Sequence, residues 1–185
     1  IKSSSQTFGH RFLSGPAPIT VKDVEGYLTA LKKAHVIADA GERKRIIERK
    51  ITELADEAGG APLTDLALIE ECAHLVEYPV VVMGTFDREF LSLPREVVIN
   101  SMREHQRYFS VVDKDGNLLP FFITVANTEA KDMAVVVKGN ERVLRARLND
   151  AKFYFEKDIK KRLVERVEDL KGVVFQAKLG TSYEK

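Results

Sequence analysis

At 185 residues, 44% of them apolar and 31% charged, the chain has the composition of an ordinary globular protein and the length to bury a core without staples. A net charge of +1 excludes a global electrostatic pull toward nucleic acid or membrane, so any such contact must be local. One cysteine, Cys72, excludes an internal disulfide and fits a reducing, cytoplasmic compartment, and no apolar run reaches the roughly 18 residues of a membrane span.

Residues 1–18 contain Ser and Pro and are expected to be extended. The opening I-K-S-S-S-Q-T lacks a signal peptide's apolar region. The missing initial Met and the charged end T-S-Y-E-K predict a piece of a longer protein. Ile19 to Ala34 reads as a helix capped by Thr20, with Val24, Tyr27, Leu28 and Leu31 on its apolar face. A second helix is expected from Asp39 to Ala58, stopped by Gly59-Gly60, and a third from Thr64 to Glu77 after Pro62. Together they suggest a helical hairpin with a further helix packed on it. Cys72 falls among Ile69, Ala73 and Val76 and reads as a small core residue.

The pattern changes at Tyr78-Pro79. Val80 to Phe86 is a β-branched apolar run, predicting a strand covered on both faces. Pro94 can open a helix carrying Val98, Met102 and His105 on one side, with His105 expected to be half-buried at its close. Arg107 to Val112 and Leu118 to Ala126 flank D-K-D-G-N, a hairpin in which Gly116 supplies the positive φ. The second of these strands is apolar on both sides and should be central, with Pro120 near its start or at a bulge.

Asp132 can cap a final helical region, in which Gly139 predicts a break or kink. From there Leu144, Leu148, Ala151, Phe155, Ile159, Leu163, Val167 and Leu170 recur in steps of three and four. That stripe predicts a helix to about Lys171, stopped by Gly172 in a left-handed conformation. At about 100° per residue, Arg142, Arg145, Asn149, Lys152 and Phe153 gather on the opposite side. Such arginines can hold phosphates and a phenylalanine can stack on a base. The same face can equally dock on protein or be merely solvated. Arg147 lies on another flank, where a local salt bridge with Asp150 is its expected role.

The fold class is therefore α+β: N-terminal helices, a small and mainly antiparallel sheet with a hairpin, and a long C-terminal helix packed on it. Residues 1–77 form the mainly helical part and 78–185 the sheet plus long helix, expected together as one compact piece. Catalytic signatures are missing: no phosphate-binding glycine loop, no G-x-S-x-G, and no H-x-x-x-H pair among His10, His35, His74 and His105. No catalytic residue, metal ligand or cofactor site is assigned. Arg103 and Arg107 around His105 join the helix face as candidate RNA or interdomain contacts.

F-G-H-R-F-L at Phe8–Leu13, Y-P-V-V-V-M-G-T-F-D at Tyr78–Asp87 and L-P-R-E-V-V-I-N-S-M-R-E-H-Q-R-Y-F at Leu93–Phe109 occur in that order. G-N-E-R-V-L-R-A-R-L-N-D-A at Gly139–Ala151 and K-G-V-V-F-Q-A-K-L-G-T at Lys171–Thr181 follow. In this combination the chain resembles the β subunit of bacterial heteromeric glycyl-tRNA synthetase, an aminoacyl-tRNA synthetase of two α and two β chains. The resemblance implies an N-terminal to middle portion of β, upstream of the family's HD-like helical and anticodon-binding regions. It places ATP, Mg2+ and glycine activation in the α subunit, and implies the α subunit and glycine tRNA as partners. It thus implies a non-catalytic module supporting ATP-dependent attachment of glycine to tRNA, through tRNA positioning and subunit assembly. The alternative is a purely structural scaffold with no RNA contact.

Overall fold

The computed structural model describes residues 4–185. Residues 1–3, part of the segment read as extended, lie outside the described residues. Two three-residue strands, β1 (Gln6–Phe8) and β2 (Pro18–Thr20), form an antiparallel ribbon in which Thr7 faces Ile19. Thr20 is therefore a strand residue and not a helix cap, as the sequence pattern had suggested. The cap is Asp23, whose carboxylate accepts the Gly26 amide, and α1 is shorter, Val24–Lys33. Of its apolar face only Leu31 is buried, while Val24 and Leu28 remain exposed.

Helix α2 (Ala40–Glu57) begins at Asp39, which accepts the Gly41 amide, and ends where Gly59 turns with φ 76°. A two-residue strand, β3 (Ala61–Pro62), leads to α3 (Leu66–Leu75), capped by Asp65. Then come β4 (Val80–Thr85), a 3-10 turn at Arg88–Ser92, and α4 (Arg95–Gln106) entered through Pro94. The hairpin is β5 (Phe109–Val112) and β6 (Leu118–Ala126). Its turn is the expected one: Asp113 accepts the amides of Asp115 and Asn117, and Gly116 has φ 82°.

The sheet order is β3-β5-β6-β4, antiparallel throughout, with a register shift between Ser110 and Val112. β6 is central, as its two-sided apolar pattern demands. The pleat sends Ile123 to the face where Ile47, Ile51, Leu68, Ile69, Cys72 and Ala73 of α2 and α3 lie. It sends Phe122 to the opposite face, against Val98 and Met102 of α4 and Leu144 and Leu148 of the last helix. Helices thus cover both faces, and the fold is α+β with the sheet as its middle layer.

The last helix, α5 (Met133–Asp158), starts at Asp132, whose carboxylate accepts the Ala134 amide. Gly139 lies inside it and the helix runs through it, correcting the expected break. The helix also stops well short of Lys171. Beyond Asp158 the chain makes 3-10 turns at Leu163–Arg166 and Glu168–Gly172, then a small ribbon of β7 (Val174–Gln176) and β8 (Gly180–Thr181). Gly172 is not left-handed. The reason is burial: Leu144 and Leu148 are fully buried and Phe155 is half-buried, but Ile159 is 67% and Leu163 85% exposed. Past Phe155 the stripe has no sheet beneath it, and helix stability without a buried face is marginal.

Two polar contacts fix one end of the sheet. His10, 1% exposed, accepts the Phe12 and Leu13 amides at Nδ1 and donates from Nε2 to the Asn127 carbonyl at 2.5 Å. The Asn127 side chain in turn accepts the Glu77 and Tyr78 amides at 2.7 and 3.1 Å. This joins the F-G-H-R-F loop to the entry of β4 and the exit of β6.

Leu148→Ala is expected to lower stability by about 3 kcal/mol, the cost of a buried cavity, with an unchanged denaturant m value. Ile159→Ala should change it by no more than about 0.5 kcal/mol. Equal losses in urea titrations would restore the long helix that the stripe alone suggests.

Candidate nucleic-acid interface

α5 is placed by what lies beneath it. Phe122 of β6 stacks on Tyr108 with ring centroids 4.5 Å apart and an interplanar angle of 19°. The Tyr108 hydroxyl donates to the Asn140 side chain at 2.6 Å, and the Asn140 amide group donates back to the Val136 carbonyl. Burial pushes the Tyr108 phenol up to about 12, so it stays a donor. A Cβ on Gly84 would meet the Phe122 ring at 2.5 Å, so only glycine lets β4 pass under it. Next to it, Glu141 accepts from both the amide and the hydroxyl of Thr85 at 2.9 Å.

The outward side of α5 divides in two. On one flank, Arg145 donates to Asp87 at 2.9 Å and Lys152 to Glu89 at 2.7 Å, stitching the helix to the 3-10 turn after β4. Glu89 raises the Lys152 ammonium above its ordinary value, by the hydrogen bond first and its charge second. These two cations are engaged within the chain. On the outermost line, Arg142, Asn149 and Phe153 are exposed, and none of their side chains hydrogen-bonds another described residue. Phe153 is 55% exposed and sits edge-on to Tyr154, with the Lys157 ammonium 5.1 Å from its ring centre. Lys157 belongs to this line at four-residue spacing, and the sequence pattern already held that signal beside Phe153. Arg147, expected to pair with Asp150, has no ion-pair partner among the described residues.

Arg103 and Arg107 lie apart from this line, on α4 and its C-terminal end. Arg103 donates to Asp65 at 2.6 Å and also pairs with Glu104. Burial pulls the Asp65 carboxyl upward, but the Arg103 contact and the Leu68 amide outweigh it, holding it below the usual range. Arg107 takes the left-handed conformation that ends α4, φ 56°, and donates to Glu71 at 2.6 Å. Both arginines tie α4 to α3. His105 is exposed, not half-buried.

The structure therefore brings together Arg142, Asn149 and Phe153 with Lys157. It commits Arg145 and Lys152 to a neighbouring turn, and Arg103 and Arg107 to α3. Among the described residues no group of three or more His, Cys, Asp and Glu could hold a metal ion, and no helix is long and apolar enough to cross a membrane. Cys72 is buried, which raises its thiol to about 11, as fits a core residue.

Residues 1–185 match the family described as glycyl-tRNA synthetase beta subunit. A glycine–tRNA ligase beta subunit from Geobacter sp. (strain M21) is 57% identical over 185 residues, 100% of this chain and 27% of that protein. Those from Geotalea uraniireducens and Syntrophotalea carbinolica are 56% and 50% identical over the same 100% of this chain. The chain thus spans about a quarter, 27%, of the length of these relatives.

Asp65 supplies a pH test of the α3–α4 tie. Its carboxyl is depressed in the folded state, so its contribution is present above its unfolded value of about 4 and lost as pH falls through the lower folded value. Asp65→Asn keeps a capping oxygen and removes the charge. Wild type should exceed the variant in stability at pH 7, and the gap should close in acid. A gap unchanged from pH 7 to pH 2 would show that the Arg103 contact does not depend on the ionised carboxylate.

Proposed function

The chain belongs to the glycyl-tRNA synthetase beta subunit family, and from that premise we propose that it is a non-catalytic module of a cytoplasmic, heteromeric glycine–tRNA ligase. It contributes to the ATP-dependent attachment of glycine to tRNA by holding the tRNA against the outer line of α5. The observation that carries this reading is the line itself. Arg142, Asn149, Phe153 and Lys157 combine two cations, an amide and an exposed ring on one helix, and among the described residues no carboxylate pairs with either cation. Arginine and lysine would neutralise phosphates, Phe153 would stack on an unpaired base, and Asn149 would hydrogen-bond sugar or base. Arg145 and Lys152 keep the helix in place through Asp87 and Glu89. ATP, Mg2+ and glycine activation belong, in this reading, to the α subunit, in an assembly of two α and two β chains.

A second reading is favoured by a separate observation. Val24 and Leu28 on α1, and Ile159, Leu163, Val164, Val174 and Phe175 beyond α5, are large apolar residues left exposed. Such surface marks contact with other protein. In that reading the module scaffolds the enzyme and does not touch RNA.

In the assembled ligase, Arg142→Ala is expected to weaken glycine tRNA binding and to reduce the steepness of its salt dependence by about one unit in log–log slope. Phe153→Ala should weaken binding by about tenfold with the slope unchanged, because stacking carries no counterion release. Arg145→Ala should leave the slope alone. Filter binding across a salt series measures all three. Unchanged affinity in Arg142→Ala and Phe153→Ala, with a less stable assembly, would favour the scaffold.

A further inference from the structure

Among the described residues β4 is an edge strand, paired on one side, with β6. The Phe86 amide donates to the Pro120 carbonyl, which fixes the alternation of the ladder. Phe86, Gly84, Val82 and Val80 turn their main-chain groups toward β6, and Thr85, Met83 and Val81 turn theirs outward. Thr85 confirms the direction, since its amide reaches Glu141 of α5. That carboxylate blunts the edge at its C-terminal end. Nothing does so further back: the amides and carbonyls of Val81 and Met83 have no hydrogen-bond partner among the described residues. The strand itself is apolar, free of charge and of internal proline, and so apart from Glu141 lacks the usual protections of an edge.

Beside this edge runs an open groove of about 300 Å³ between α2 and the start of β4. Its apolar lining is Ile46, Leu54, Pro79 and Val81, and its charged lining is Lys50 with Glu53, Glu57 and Glu129. Glu53 is met by Lys50 at 2.6 Å, but Glu57 and Glu129 are exposed and have no ion-pair partner among the described residues. Val81 and Met83 point toward the α2 layer, on the same face as the groove.

We propose that the open edge of β4 takes an extended, basic segment of a partner polypeptide as a fifth strand of the sheet. The unpaired groups of Val81 and Met83 supply the backbone bonds that make strand addition a recognition mode. Alternate apolar side chains of the incoming segment enter the groove over Leu54 and Val81. A lysine or arginine flanking them meets Glu57 and Glu129. Charge selects among occupants: the acidic lining repels phosphate, which disfavours RNA, and it would face a second acidic lining in an edge-to-edge pair of this chain. This inference stands on the sheet edge and is independent of the tRNA contact on α5.

The test uses the whole polypeptide that carries these residues and, as probe, the peptide acetyl-Lys-Thr-Val-Thr-Val-Thr-Lys-amide, whose flanking lysines share a face with its valines. Residue-resolved hydrogen exchange should show the Val81 and Met83 amides exchanging fast alone and at least about tenfold slower with saturating peptide. A version methylated on the amide nitrogens of its valines should not protect them. Glu57→Lys together with Glu129→Lys, surface changes outside the ladder, should weaken peptide binding several-fold, by about fivefold or more. No added protection, or equal protection from the methylated peptide, would overturn strand addition. Protection without peptide would overturn the partner. Concentration-dependent protection would point to a second copy, and concentration-independent protection to the chain's own remainder.

Discussion

The structure depends on how Phe122 lies. Its ring fills the layer between β6 and α5, stacks on Tyr108, and leaves β4 room only because residue 84 has no side chain. From this one contact the height of α5 over the sheet follows. Tyr108 reaches Asn140, Glu141 reaches Thr85, and Leu144 and Leu148 close the layer. Both surface features of functional interest are consequences. The outer line of α5 is presented because its inner line is locked, and β4 is open at Val81 and Met83 because Glu141 covers only Thr85.

The fold was largely legible in the sequence where local chemistry and burial agree. Asp39, Asp132 and Gly116 occupy the cap and turn positions that their residue types predict, and β6 is central as its two-sided apolar pattern requires. Legibility failed where it needed knowledge of what lies opposite. The stripe through Ile159, Leu163 and Val167 keeps helical spacing, yet spacing shows only which residues would share a face. It does not show that the sheet ends near Phe155. Gly139 predicted a break because glycine weakens helices by about 1 kcal/mol relative to alanine. That cost is offset here by the contacts just after it, Asn140 with Tyr108, Glu141 with Thr85, and the buried Leu144. Three-residue strands such as β1 and β2 carry too few residues for a periodic signal.

The candidate site shows the same division. The angular clustering of Arg142, Arg145, Asn149, Lys152 and Phe153 follows from helix geometry and was visible in the sequence. Which of these are free was not, because Asp87 and Glu89 lie 58 and 63 residues away from their partners. Arg103 and Arg107, candidates for RNA or interdomain contact, likewise have carboxylate partners hidden from the sequence: Asp65 at the cap of α3 and Glu71 within it, 38 and 36 residues earlier. An arginine's role is set by the nearest carboxylate in space, which only the fold supplies.

The central claim is that packing on Phe122 turns α5 so that its outer line meets tRNA. Site-specific photo-cross-linking tests it most directly, with a photoreactive residue at position 149 in the assembled ligase bound to glycine tRNA. The account predicts cross-links to RNA from position 149 and none from position 148, which faces the core. Cross-links from position 149 to protein alone would contradict it.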